Sequence, residues 1–203
     1  MMLGSVAQAL GTYSLVLASG SPRRKDLLDQ MLPETVSFRV ETSGFEEDLP
    51  KTEPSAYVME TARCKGVEVF ERCGGNALVI AADTVVVGVD GAILEKPASE
   101  ADALRVLSSL SGRTHAVLTG VALFRRGRTI TFFERTEVTF SPLSEDTIRA
   151  YIATGEPMDK AGSYGIQGRA GPFVEKLEGD YFNVVGLPMN RLSRELVAFV
   201  RDD

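Results

Sequence analysis

Leu15–Ala18 is a short apolar run without charge, the pattern of a strand buried on both faces. Ser19-Gly20 breaks that run, and Gly20 permits a tight turn close to a ligand. Ser21 suits an N-cap and Pro22 a first helical position, and Leu27, Leu28 and Met31 then fall on one face of the predicted helix. A strand, a small-residue turn, a helix N-terminus and the pair Arg23-Arg24 together describe an anion site. Free N–H groups and the helix dipole favour a phosphate, and guanidinium forks bind its oxygens in pairs. The plainer alternative is a capped helix with solvated arginines.

Further along, Val36–Val40 alternates weakly as a second strand, and Thr42 to Pro54 reads as an acidic loop carrying Glu46, Glu47 and Asp48. A long helix is predicted from Ser55 to Cys73, with Val58, Ala62, Gly66, Val69 and Cys73 along one face and Lys65 at its edge. Leu78–Val87 is continuously apolar apart from Asp83 and Thr84, the pattern of a central strand. An ionised carboxylate in that setting is costly unless paired, hydrogen-bonded or bound to a metal. Asp83 is therefore either a structural carboxylate satisfied locally or a group delivered to a site. Lys96 precedes Pro97 and is confined to extended geometry near that same strand.

Ser99 or Glu100 opens a helix with Ala103, Leu104, Leu107 and Leu110 inward. His115–Phe124 and Thr129–Phe140 read as strands of a hairpin turning at Arg126-Gly127, where the arginine cluster suits a solvated turn. Ser144 caps a helix through Ala153. Gly155 to Gly168 holds four glycines and a proline among Asp159, Lys160, Tyr164 and Gln167, the composition of a binding loop held in special backbone geometry. Phe173–Leu177 and Asn183–Gly186 read as short strands, and Leu187-Pro188 opens a last helix with Leu192, Leu196 and Val200 inward. Interleaved strands and helices with one hairpin predict an α/β fold on a mixed sheet flanked by helices. Residues 1–12 read as a loose, flexible N-terminal extension, and 13–203 as a single domain.

Composition narrows the function. Of 203 residues, 44% are hydrophobic and 25% charged, ordinary for a globular chain with a real core. A net charge of −6 speaks against nucleic acid as a partner, and no apolar run nears the ~20 residues that span a bilayer. Cys64 and Cys73 lie on one predicted helix with Cα atoms about 13 Å apart, whereas a bridge needs them within about 7 Å. Free thiols fit a reducing, cytoplasmic compartment. His115 is the sole histidine, which argues against a Cys/His metal cluster and a histidine-dependent triad.

Three loci remain: the phosphate turn, the embedded Asp83, and the Gly-rich loop with Lys160 and Gln167. Arg23, Arg24, Lys65, Lys96 and Lys160 supply more positive charge than one phosphate needs. Set among Asp83 and Glu47, they suit a triphosphate with a divalent cation, since Mg²⁺ prefers one or two carboxylates plus substrate phosphates. Gln167 offers a donor and an acceptor together, as reading a base edge requires.

Leu17-Ala18-Ser19-Gly20-Ser21-Pro22-Arg23-Arg24, Ala82-Asp83-Thr84, Glu95-Lys96-Pro97 and Asp159-Lys160-Ala161-Gly162-Ser163-Tyr164-Gly165-Ile166-Gln167-Gly168 together resemble the motifs of the Maf family of nucleoside triphosphate pyrophosphatases, in order along nearly the whole chain. The resemblance implies hydrolysis between the α- and β-phosphates to a monophosphate and pyrophosphate, with Mg²⁺ or Mn²⁺. It places Ser19, Arg23 and Arg24 on the phosphates and makes Asp83 the general base and a metal ligand. Lys96, Lys160 and Gln167 become pocket residues, Lys96 on the catalytic side. Glu47 (catalytic and metal-binding) and Lys65 (substrate-binding) match by position. Thr84 and Gln167 resemble the dTTP/UTP-preferring branch. The family fold implies a twisted mixed sheet in two lobes with a central cleft, and a homodimer. Two rivals are weighed against this: nucleotidyl transfer to a sugar phosphate, and a nucleotide-binding regulator of cell division without significant catalysis.

Overall fold

The computed structural model describes residues 2–51 and 53–201. Strands β1 (Ser14–Ala18), β2 (Phe38–Val40), β3 (Ala77–Val87), β4 (Ile93–Leu94), β5 (Thr114–Arg125), β6 (Arg128–Phe140) and β7 (Val174–Glu178) form one sheet. Their order is β2-β1-β3-β5-β6-β7, with β4 paired to β3. The pairings of β1 with β2 and β3 are parallel, and those of β3 with β4 and β6 with β7 antiparallel, so the sheet is mixed as the sequence predicts. The α-helices are α1 (Ala7–Leu10), α2 (Pro22–Met31), α3 (Pro54–Arg72), α4 (Glu100–Leu110), α5 (Glu145–Ile152), α6 (Tyr181–Val185) and α7 (Met189–Arg201), with short 3₁₀ turns besides.

The chain divides into two compact units, neither of them continuous in sequence. The first comprises Met1–Asp83, Thr119–Glu134 and Gly186–Asp203. Its core joins Val16, Ala18, Val79 and Ala81 to Ala62 and Val69 of α3 and to Ala122 and Phe124. Two glycines let α3 lie close on this layer. A Cβ on Gly66 would stand 2.1 Å from the Phe124 ring, and one on Gly120 would stand 2.3 Å from the Val58 backbone. The N-terminal stretch differs from the expected loose extension. Met2–Val6 forms a 3₁₀ turn leading into α1, and Leu3, Val6 and Leu10 are buried. Their i, i+3, i+7 spacing is a helical stripe too short to be read with assurance from sequence. At the other end of this unit, the guanidiniums of Arg125 and Arg128 lie over the Phe199 ring, with centroid distances of 5.5 and 5.1 Å. The expected solvated turn is thus tied to α7 by cation–π contacts, and Arg126 is its exposed arginine.

The second unit comprises Thr84–Leu118 and Arg135–Val185. Its core gathers Ala103, Val106, Leu107 and Leu110 of α4 with Ile148, Tyr151 and Ile152 of α5 around Val117, Val138 and Phe140. The stretch Asn183–Gly186, expected as a strand, instead ends helix α6 with its first three residues while Gly186 follows in a turn, and Asn183 explains why. Its amide donates to the Val117 carbonyl and to Thr136 Oγ1, both at 3.0 Å, from a fully buried position. A strand would not aim that side chain so, and tertiary bonding overrides the β-propensity of Val184-Val185. Also in this core, His115 Nε2 and the Tyr164 hydroxyl share a 2.9 Å hydrogen bond, with Phe140 packed edge-on against both rings.

Burial holds the His115 pKa down at about 4, so the imidazole is neutral in the folded state while the unfolded chain still binds a proton near pH 6. The unfolded state therefore takes up more protons as pH falls, and stability is lost between about pH 6.5 and 4. Lowering the pH from about 7.5 to 4.5 should cost the wild type about 2.5 kcal/mol more than it costs His115→Gln, as read by urea denaturation. Parallel pH profiles for the two proteins would contradict a neutral buried imidazole.

Candidate active site

In the first unit the site grows from the turn after β1. Ser21 caps α2, its hydroxyl accepting from the Arg24 N–H, and Pro22 occupies the first turn where no donor is missed. Ser19, only 8% exposed, accepts through Oγ from the Ser21 N–H at 3.3 Å and from Arg24 Nη1 at 3.1 Å. Arg24 Nε donates to the Gly186 carbonyl at 2.8 Å, so the guanidinium is held on two sides. Burial draws its pKa below the ordinary arginine value, and Asp83 pushes in the opposite direction. Arg23 stands beside it on α2, half-buried.

Asp83 sits on β3 among apolar neighbours and is 6% exposed. Lys65 Nζ reaches it from α3 at 2.8 Å and reaches Glu47 Oε1 at 2.7 Å. One ammonium therefore bridges two carboxylates from different parts of the chain. Burial pushes the Asp83 carboxyl above its usual range, while Lys65 and then Arg24 pull it back down. A carboxylate raised in this way is a better proton acceptor near neutral pH than a solvated one.

Glu47 reaches Lys65 because its loop is moored to α3. Glu68 accepts from the Gly44 N–H at 2.9 Å, and Arg72 donates to the Thr42 carbonyl at 2.9 Å and pairs with Glu68. The hydrogen bond from Ser43 holds the Glu68 carboxyl low, against a smaller opposing effect of burial. Glu68 and Arg72 were not visible in the sequence as site residues. At i, i+4 on a helix they look like any solvated ion pair.

The remaining candidates belong to the second unit. Thr84 follows Asp83 on β3 and is half-buried. Lys96 is exposed in the bend before the buried Pro97, and the neighbouring Glu95 carbonyl accepts from the Gly162 N–H at 3.1 Å. That bond ties the Lys96 segment to the Gly-rich loop. The loop is a chain of 3₁₀ turns, Glu156–Asp159 and Ala161–Ser163 among them. Gly162 adopts φ 66°, and a Cβ there would meet Val86 at 2.6 Å; Ser163 follows it into the same left-handed region at φ 63°. A non-glycine residue held there is strained by roughly 1–2 kcal/mol, which marks a backbone fixed by its surroundings. Lys160 Nζ donates to the Glu156 carbonyl at 2.8 Å and to Asp159 Oδ1 at 2.6 Å, and Gln167 stands exposed in the following turn. Tyr151 and Glu156, which support this loop, carry no motif that sequence reading could find.

Within the first unit, then, Ser19 contacts Arg24, Lys65 contacts both Asp83 and Glu47, and the Arg24 charge acts on Asp83, whereas within the second Lys96, Lys160 and Gln167 share one loop system. The first group can bind phosphate oxygens, accept a proton at Asp83 and offer two hard carboxylates to a cation.

Comparison with known proteins shows what the chain resembles as a whole. The family model described as Maf-like protein matches residues 14–199. A dTTP/UTP pyrophosphatase of Bacillus cereus (strain AH187) is 50% identical over 186 residues, covering 91% of this chain and 95% of that protein. One of Thermococcus onnurineus (strain NA1) is 51% identical over 175 residues, covering 86% and 92%. Among solved structures, a HAM1 protein from Coxiella burnetii superposes with a TM-score of 0.53 at 16% identity, covering 92% of this chain and 99% of its own, a likeness of fold.

The Lys65–Asp83 pair predicts a specific stability pattern, because its side chains are only 14% and 8% exposed. Lys65→Met should cost about 3 kcal/mol by leaving a buried carboxylate without its ammonium, measured by urea denaturation at neutral pH. Adding Asp83→Asn to that variant should recover more than half of the loss. A double variant as unstable as the sum of the two single ones would mean that the pair is not coupled.

Proposed function

The chain belongs to the family of Maf-like proteins, and on that footing we propose that it hydrolyses dTTP, UTP and related or modified pyrimidine nucleoside triphosphates between the α- and β-phosphates, releasing the monophosphate and pyrophosphate. The observation that carries the reading is the buried Asp83, paired with the Lys65 ammonium at 2.8 Å and under the influence of the Arg24 charge, its pKa raised by burial. Such a carboxylate is suited to accept a proton from attacking water.

Arg24, fixed by Ser19 and Gly186, and Arg23 on the same turn hold phosphate oxygens at the α2 N-terminus. Their charge stabilises the negative charge growing on departing pyrophosphate, and Lys96 and Lys160 are read as further cations for the substrate. Lys65 orients Asp83 and Glu47 and offsets their mutual repulsion. Gln167 presents an amide able to donate and accept at once, matching the carbonyl and N–H of a uracil or thymine edge, and Thr84 contributes to base choice. Asp83 and Glu47 suit a divalent cation: two carboxylates already converge on one positive charge, and Mg²⁺ takes one or two carboxylates together with substrate phosphates. The chemistry that Mg²⁺ or Mn²⁺ supplies when bound there is neutralisation of phosphate charge and acidification of water.

The reading extends to removal of unwanted nucleotides from the pool by a cytoplasmic homodimer. The free cysteines Cys64 and Cys73 support a reducing compartment. Among the described residues no helix is long and apolar enough to cross a membrane.

The deciding assay is pyrophosphate release from dTTP, UTP, CTP, GTP and 7-methyl-GTP with Mg²⁺, Mn²⁺ or EDTA, for the wild type and Asp83→Asn. Expected are cation-dependent turnover led by dTTP or UTP, and a loss of at least about 100-fold in kcat for the variant with nucleotide affinity kept. Saturable binding without release would favour a regulator that only binds nucleotide. Turnover led by a purine would keep the reaction and refute the assignment of base choice.

A further inference from the structure

The Gly-rich loop contains a carboxylate that the proposed chemistry does not use. Glu156 opens the loop, directly after Gly155 in the left-handed region at φ 74°. Its backbone and its side chain hold different parts of the loop. Its carbonyl accepts from Lys160 Nζ at 2.8 Å. Its carboxylate crosses to the far end, where both oxygens accept from the Arg169 N–H at 3.1 Å.

The carboxylate also fills the space against Gly168. A Cβ on that glycine would lie 2.1 Å from Glu156 Oε1, so the turn and the carboxylate fit each other only with glycine there. Tyr151 of α5 locks the arrangement from beneath. Its hydroxyl donates to Glu156 Oε1 at 3.0 Å and accepts from the Gly165 N–H at 3.2 Å. The Tyr151 ring is buried edge-on against Phe173, so the support is anchored in the core of this unit. Gln167 lies between Gly165 and Arg169, the two residues whose N–H groups this system grips.

We propose that Glu156, held by Tyr151, is a positioning residue that sets Lys160 and Gln167 together and so couples phosphate binding to the choice of base. The inference rests on the nucleotide reading above. Gln167 is itself exposed, and a free glutamine amide rotates among several rotamers. Discrimination of a carbonyl edge from an amino edge needs an amide held in one orientation, since each mismatched bond leaves a polar group unpaired. Two backbone N–H bonds flanking Gln167 supply a fixed base from which its side chain projects. Lys160, whose ammonium rests on the same residue's carbonyl, is placed by the same turn. No proton transfer is asked of Glu156, so the chemical step at Asp83 is left alone.

The test compares wild type, Glu156→Ala, Glu156→Gln and Tyr151→Phe in steady-state pyrophosphate release with UTP and CTP. Expected for Glu156→Ala are a KM for UTP raised about tenfold and a UTP-over-CTP preference reduced about tenfold, with kcat within about threefold of wild type. That split belongs to lost positioning and not to lost chemistry. Glu156→Gln keeps an acceptor for the Tyr151 hydroxyl and should recover part of the preference, and Tyr151→Phe should shift KM in the same direction by a smaller factor. Should Glu156→Ala fail to fold, Glu156→Gln and Tyr151→Phe decide alone. An unchanged KM and preference, or a fall in kcat with both unchanged, overturns the inference while leaving the nucleotide reading intact. A wild type that releases pyrophosphate from none of the triphosphates overturns both.

Discussion

A carboxylate in the middle of an apolar strand must be compensated, and the first unit is arranged around that requirement. Asp83 lies on the strand that pairs in parallel with β1, within a layer of Val, Ile and Ala side chains. With only 6% of the residue exposed, water solvates it poorly, and positive charge comes from the protein. Lys65 arrives from α3 and Arg24 from the β1–α2 turn, and each needs its own device to do so. For Lys65 the device is the absence of two Cβ atoms, at Gly66 and Gly120, which brings α3 down onto its layer. For Arg24 it is a pair of oxygen acceptors, Ser19 Oγ and the Gly186 carbonyl. The opposing pulls on Asp83 come from the same packing: burial pushes its carboxyl up, and Lys65 and then Arg24 draw it back down.

The two units solve different problems in different ways. In the first, Arg24, Lys65 and Asp83 stand on regular elements, two helices and a strand, and Glu47 joins them from a loop moored to α3. In the second, the chemistry-bearing side chains lie on a loop without helix or strand periodicity, and its order comes from backbone donors gripped by Glu156 and Tyr151 and from left-handed turns at Gly155, Gly162 and Ser163. A loop of this kind can be altered one residue at a time without disturbing the sheet, a reasonable place for substrate choice to reside.

Much of this was legible in the sequence, for reasons that can be named. The β1–α2 turn has a cap, a first-turn proline and a clean apolar stripe, which are local signals and therefore readable. Asp83 announced itself by contrast with its neighbours. Glu47 and Lys65 could be placed by position, but their meeting could not, because it depends on Glu68 and Arg72 mooring an acidic loop to α3. The stretch ending at Gly186 was misread as a strand because Val184-Val185 favours one locally, whereas the Asn183 amide bonds to groups far away in sequence. The arginines of the β5–β6 turn looked solvated for a similar reason, since their aromatic partner lies on the last helix. Local chemistry was readable; contacts made across long stretches of chain were not.

The bond from Arg24 to the Gly186 carbonyl spans 162 residues. During synthesis, the β1–α2 turn is among the first parts of the chain to emerge, yet the acceptor that fixes its Arg24 guanidinium is among the last. From the synthesis of Asp83 to that of Gly186, one of the two cations that act on this carboxylate is still unfastened. A nascent chain therefore carries Arg24 long before it carries the bond that fixes it, and the order of translation delays that bond until the closing segment of the first unit is in place.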